Sequence, residues 1–400
     1  MPRRVENITE LALIGATLWA DPAAEPLRDA VVLVRHGRVA EAGPRAQVTV
    51  PPAAAVLDCS GRTITAAFWN SHVHFHERKW ANAAEIPAPE LERQLAELTR
   101  YGFAGVFDLS SQWENTRRIR DRIESGEIAG PHIRSTGEGL IPAGGRPSDE
   151  VFRVLGLMET ALCEVASSEQ ACDAARNLLT AGVDGIKLFV SAPSAGQLSH
   201  DVIRAAVDEA HRSGKPVFAH PNTASDISAA LDGGVDVVAH TTPRSGEWSA
   251  SLLETMVARG TALIPTLMVW ESMMRHDRIS ARVHVVGAAV DQLRSWLERG
   301  GEVLFGTDLG AVEADPSREY ALMAAAGATF RQILAALTTA PARRFGAAGR
   351  SGRIDVGGPA DLVVLDGDPS ESVEAFASVR CTLRDGKLIY QAPRSALLQL

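Results

Sequence analysis

The chain has 400 residues, 46% of them hydrophobic, which is enough to bury one large core and a smaller one and excludes a disordered protein. A net charge of −9 with no basic block excludes nucleic acid as the expected partner and leaves a small molecule. Four cysteines, Cys59, Cys163, Cys172 and Cys381, show no C-x-x-C spacing and read as small buried side chains in a reducing compartment.

The first residues, Met1 to Asn7, start positive but lead into no apolar signal core, and no apolar run is long enough to cross a bilayer. A cytoplasmic protein with no membrane partner is expected. Apolar runs at Leu11 to Leu18, Ala30 to Val34 and Val39 to Ala42 read as strands, with His36-Gly37 suited to a hairpin. The same texture returns at Ala360 to Leu365 and Val379 to Leu383, and Asp385-Gly386 before Lys387 to Tyr390 is a second hairpin signal. These segments predict a small β-sandwich domain built from both chain termini, residues 1–62 and 350–400.

Residues 63–349 alternate strand-like and helix-like stretches, the pattern of parallel βα units. Candidate strands fall near 63–75, 104–110, 132–137, 185–190, 216–221, 235–240, 262–267 and 303–308. Eight such units predict an α/β fold, a (β/α)8 TIM barrel. Between them, Ile203, Ala206, Val207 and Ala210 recur at helical spacing, with Ser199 as N-cap and Gly214 as stop. Catalytic residues of such barrels sit at the C-terminal ends of the strands. His72, His74, Lys187, His220, His240 and Asp308 all fall there.

His72 and His74 are two apart, so an extended strand turns both imidazoles to one face. That is half a metal site, or else a pair of satisfied core histidines. Imidazole and carboxylate suit zinc and similar divalent ions, and a catalytic site leaves a position open for water. Lys187 stands out because only Lys79, Lys187, Lys215 and Lys387 among the 40 basic residues are lysine. It sits between Ile186 and Leu188 in an apolar strand, where a snorkelling surface residue is the alternative.

The order H-x-H on the first strand, Lys on the fourth, His on the fifth, His on the sixth and Asp on the eighth resembles the amidohydrolase superfamily of metal-dependent hydrolases. Gly352 to Asp366 is similar to the segment by which that family's chain returns to its β domain, and Leu337 to Ala342 to the approach to it. The Gly185-Ile186-Lys187 run and the C-terminal segments resemble the branch with prolidase-like and imidazolonepropionase-like enzymes. Where family members have Pro-Gly-Leu-Ile-Asp before the first histidine, this chain has Ala67-Phe68-Trp69-Asn70-Ser71. The resemblance implies two divalent ions, zinc in the first instance, with His72, His74 and Asp308 on one and His220 and His240 on the other. It implies a carboxylated lysine at Lys187, since an ammonium has no lone pair for a metal and a carbamate has two bridging oxygens. Asp308 would be the catalytic residue that moves the proton.

The expected activity is therefore hydrolysis of an amide or related C–N bond in an N-acyl amino acid, dipeptide, aryl amide or cyclic amide, by water activated on the metal. A mononuclear deaminase or imidazolonepropionase type, in which Lys187 binds no metal, is the alternative enzyme. A catalytically inactive assembly protein on the same fold is the non-enzyme alternative, marked by loss of ligands, and none is lost. The loops 139–151 and 241–248 lie where a barrel shapes its pocket, and His76, Arg244 and Trp248 are the candidate substrate contacts. A homo-oligomer acting on a small-molecule substrate is expected.

Overall fold

Two tight turns set the shape of the chain's ends. His36 and Gly37 have φ of 51° and 77°, and Asp385 and Gly386 have φ of 47° and 72°, the doubly positive pattern that matches the right-handed twist of a two-residue hairpin. In the computed structural model, which describes residues 10–146, 162–346 and 352–393, these turns join Leu27–Arg35 to Arg38–Pro44 and Val379–Arg384 to Lys387–Gln391. The two turns also touch. A Cβ on Gly37 would lie 2.8 Å from the Asp385 carbonyl oxygen, so glycine is required there by space as well as by φ.

Both hairpins belong to one eight-stranded sheet whose inner strands are Glu10–Trp19, Thr63–Ala66 and Leu362–Leu365. One face of it buries Leu11, Leu13, Ala30, Val32, Ile64, Leu362, Val364 and Leu383 as a separate core. The strand expected over 63–75 is thus two strands. The Ala67 amide donates to Asp361 O (2.9 Å), the last tie to the terminal sheet, and the next amide, Phe68, donates to Gly102 O (2.9 Å), the first tie to the barrel.

The fold is an α/β TIM barrel with an additional β domain from the termini. Barrel strands are Phe68–Val73, Phe103–Asp108, His132–Ser135, Ile186–Phe189, Val217–His220, Val237–Ala239 and Ala262–Ile264, and the eighth begins at Glu302–Val303. Neighbours pair in parallel, with Leu140–Pro142 as a further parallel partner of the fourth strand. Backbone bonds close the ring at two places: Asp184 N to Ser135 O (2.7 Å), and Ser71 N to Phe305 O (2.7 Å) with Asp308 N to His72 O (2.8 Å). The second closure places the first-strand histidines beside Asp308.

An aromatic floor fills the barrel below that closure. Phe107 packs on Phe218 and on Phe345 with ring centroids 4.7 and 4.8 Å apart, and Trp69 on Phe345 at 5.7 Å. Gly105 admits the indole, since a Cβ there would lie 2.4 Å from Trp69. Outside, the helix with the expected Ser199 N-cap is His200–Arg212, and the Ser199 hydroxyl accepts from the Val202 amide. No helix among the described residues is long and apolar enough to cross a membrane. Of the loop 139–151, residues 147–151 lie outside the described residues.

Candidate metal centre

Three ligand candidates leave their strands in strained or irregular backbone. His74 lies one residue past Phe68–Val73, and its amide N–H donates to Leu309 O (2.8 Å). His240 and Asp308 have φ of 77° and 63°, a region that costs non-glycine residues energy and that clusters at functional sites. Close approach is built in from the eighth strand. A Cβ on Gly306 would sit 2.8 Å from His72 Cβ and 2.4 Å from Ile264, so only glycine lets the two strands meet here.

The side chains converge. Asp308 Oδ1 lies 3.3 Å from His72 Nε2 and 2.7 Å from His74 Nε2. Ring centroids run from His74 to His72 at 5.1 Å, His72 to His240 at 4.8 Å and His240 to His220 at 4.5 Å. Ligand atoms of His72, His240 and Asp308 all fall within 4.8 Å of one another, the span of one ion's coordination shell. Lys187 is 1% exposed, its Nζ 5.7 Å from the Phe189 ring, and its charge acts on His72, His220 and His240.

Many of these atoms are buried with nothing to bond. Among the described residues, both ring nitrogens of His72, Nδ1 of His74 and Nζ of Lys187 have no hydrogen-bond partner, while Asp308 Oδ1 has only the His74 imidazole at 2.7 Å. A buried polar atom left so costs about 1–3 kcal/mol, and four in one cluster beside a carboxylate fit a site whose lone pairs donate to a cation. Burial holds His72 and His240 well below the ordinary histidine value, and His220 down to about 3, so all three keep the neutral form a metal needs. Burial opposes the charge of Asp308, but the His72 and His74 imidazoles beside it outweigh that and hold its carboxyl well below the usual range. Lys187 is pushed down to about 7 by burial. A neutral amine is thus within reach at ordinary pH.

The candidate substrate contacts are placed differently. His76 is buried and stacks on His74 at 4.6 Å with an 8° interplanar angle, and its Nε2 is unbonded. Burial lowers its pKa to about 3. Arg244 is exposed on the turn Pro243–Ser245 that follows His240. Trp248 is buried in the main core, its Nε1 donating to Thr242 Oγ1 at 2.8 Å, so it braces that turn from behind. Phe75 and Trp80 likewise pack on each other in the core at 5.0 Å.

Supporting residues emerge that the sequence did not single out. Asn70 Oδ1 accepts from the amides of His72 (3.2 Å) and Thr307 (3.1 Å), and its Nδ2 donates to Thr307 Oγ1 (2.8 Å), stitching the first and eighth strands together inside the segment that departs from the family pattern. Asp108, fully buried at the end of the second strand, accepts from Ser111 (2.5 Å), Ser135 (2.7 Å) and Thr116 (3.0 Å), and Ser111 Oγ in turn accepts from the Phe75 amide (2.8 Å). A lone charged or amide side chain within an apolar run was the available signal for both.

Residues 63–389 match the Amidohydrolase family. The chain belongs to the amidohydrolase family. Members generally use divalent metals, and this amidohydrolase is a hydrolase of carbon–nitrogen bonds. It is similar to ochratoxinase from Aspergillus niger, with 22% identity over 92% of this chain and 83% of that protein. Among solved structures it is similar to a Xaa-Pro dipeptidase with methionine bound in the active site, at TM-score 0.81 and 22% identity, covering 96% of this chain and 100% of that one. A third likeness is to phenylurea hydrolase B, at TM-score 0.76 and 20% identity, covering 95% and 96%. At these identities the structural likenesses speak to the fold.

Lys187 gives this arrangement a measurable signature in metal-free protein. Its folded pKa, about 7, lies below the ordinary 10.5, so the stability it permits is full above the unfolded value and is lost as pH falls from about 10.5 toward 7. Lys187→Met removes that cost. Metal-free Lys187→Met is expected to be more stable than metal-free wild type at pH 7, by about 1–3 kcal/mol, with the gap closing as pH rises toward 10. Urea unfolding at pH 7 and 9.5 measures both, and a destabilised Lys187→Met would mean that the amine already has a partner.

Proposed function

We propose that this amidohydrolase cleaves the amide bond of an N-acyl amino acid, dipeptide, aryl amide or cyclic amide bearing a free carboxylate, at a centre built for two divalent ions, zinc in the first instance. The observation that carries this reading is the set of buried ring nitrogens on His72 and His74 and the buried amine of Lys187 that have no hydrogen-bond partner among the described residues, gathered with the Asp308 carboxylate. His72, His74 and Asp308 would hold one ion and His220 and His240 the other, with a carboxylated Lys187 between them. The carbamate forms when the neutral amine attacks carbon dioxide and gives up a proton. When bound, the ions supply Lewis acidity toward the substrate carbonyl oxygen and lower the pKa of water.

The chain's own groups do the rest. Asp308, with Oδ1 at the meeting point of His72 and His74, accepts the proton of the attacking water as its oxygen bonds to the carbonyl carbon, then passes that proton to the nitrogen as the C–N bond breaks. His76, through its unspent Nε2, and Arg244, beyond His240, are the proposed substrate contacts, the guanidinium suiting a carboxylate. The names of the Xaa-Pro dipeptidase with methionine in its active site and of the phenylurea hydrolase support amino-acid amides and aryl-substituted C–N compounds as the class to try first. A single ion on His72, His240 and Asp308 is the second reading, favoured by the convergence of those three ligand atoms, and it would make the enzyme a deaminase or imidazolonepropionase type.

Asp308→Asn separates the two jobs of that residue. Its amide oxygen can still face a metal but cannot take a proton, so metal content, read by elemental analysis, is expected to survive better than turnover, which falls by about two orders of magnitude or more. Retained turnover at retained metal would remove Asp308 from proton transfer. For the substrate, a panel of N-acyl amino acids, dipeptides and aryl amides is compared with their carboxyl-blocked esters and with nucleobases. Preference for free carboxylates is expected, preference for the blocked compounds would reject the carboxylate, and turnover of nucleobases alone would move the enzyme to the deaminases.

A further inference from the structure

The loop after the seventh barrel strand carries polar contacts that the reading above leaves unused. Thr266 follows Ala262–Ile264 and Pro265 and is fully buried. It holds φ 44° and ψ 52°, a left-handed conformation that is costly for a β-branched residue and persists only where its surroundings impose it. Its hydroxyl donates to Pro265 O at 2.9 Å and lies 2.6 Å from His240 Nδ1.

Those two contacts compete for one proton. A threonine hydroxyl has one hydrogen, and a carbonyl oxygen can only accept. With that hydrogen on Pro265 O, as the 2.9 Å contact allows, the hydroxyl faces His240 with a lone pair and Nδ1 is the donor; with it turned to Nδ1 the roles reverse. In the first arrangement the neutral imidazole carries its proton on Nδ1 and leaves Nε2 with its lone pair bare. Beyond Thr266, Glu319 explains what holds the left-handed turn. Glu319 is fully buried on the helix Ser317–Ala325, and its two carboxylate oxygens accept the amides of Leu267 (2.9 Å) and Met268 (2.8 Å), the residues immediately after Thr266.

We propose that Thr266 and Glu319 are positioning residues for His240: Glu319 pins the backbone after Thr266, and the Thr266 hydroxyl fixes the tautomer and ring plane that turn Nε2 toward His72 and Asp308. This rests on His240 being a metal ligand in the reading above. A ligating imidazole tied through its other nitrogen binds metal more tightly, and loss of such a partner costs about 10–100-fold in affinity.

The test uses the full chain and two readouts, imidazole nitrogen NMR of metal-free protein at pH 8 and zinc affinity by competition with a chromophoric chelator. In wild type His240 is expected as the Nδ1–H tautomer. Thr266→Val, of equal size and branching, is expected to give a mixture of tautomers and a zinc dissociation constant raised by about 10–100-fold, and Thr266→Ser to restore both. Glu319→Gln, which keeps one acceptor oxygen, is expected to move both readouts the same way by less. An Nε2–H tautomer in wild type, or a Thr266→Val protein unchanged in tautomer, would overturn the proposal. A Glu319→Gln protein that melts lower but keeps wild-type tautomer and zinc affinity would overturn the part assigned to Glu319. A moved tautomer with unmoved zinc affinity would leave the hydrogen bond standing and reject His240 as a ligand, so the two failures are told apart.

Discussion

An amine without a partner is the constraint on which the rest of the structure turns. Lys187 stands on an apolar strand, 1% exposed, and among the described residues its Nζ has no hydrogen-bond partner. Proteins bury lysine this way only with a compensating group, and a few kcal/mol is a large part of a domain's net stability. The histidines around it offer no charge to pair with, because burial keeps them neutral. Lone pairs, an amine and one carboxylate gathered in a buried cluster make sense as half of a structure whose other half is cationic.

Architecture makes that gathering possible. The first and eighth strands touch through Asp308 N to His72 O, and the glycine at 306 removes the side chain that would hold them apart. Beneath lies the aromatic floor of Trp69, Phe107, Phe218 and Phe345, packed too tightly to let the strand ends drift. Above it the strained residues His240, Thr266 and Asp308 depart from strand geometry and aim their side chains into a common space. Rigid packing below and strained backbone above divide the work of pre-organisation.

Much of this was legible in the chain. Strand-like apolar runs ending in His or Asp, and one with Lys187 inside it, marked the barrel strands and the candidate ligands together, because a barrel puts its chemistry where strands end. The two hairpins were legible because only a few residue pairs tolerate two positive φ angles in succession. What could not be read was which strand a residue pairs with: Thr63 to Ala66 look continuous with Phe68 to Val73, and only the hydrogen bonds of Ala67 and Phe68 show the chain passing from one sheet to the other. Supporting residues were hidden for a related reason. Glu319 sits in Ser317-Arg318-Glu319-Tyr320, a local pattern indistinguishable from a solvated first turn, and its burial depends on a loop some fifty positions earlier in sequence. Trp248 went the other way: an aromatic beside a barrel loop reads as a substrate contact, and its indole nitrogen is spent on Thr242.

The account stands or falls on what completes Lys187. The most direct measurement is a crystal structure of protein purified without chelator and supplied with zinc and bicarbonate, refined with anomalous data. The account predicts two anomalous peaks, one beside His72, His74 and Asp308 and one beside His220 and His240, with planar density of three further atoms beyond Lys187 Nζ reaching both. A single peak beside His72, His240 and Asp308, with density that ends at Nζ, would contradict it.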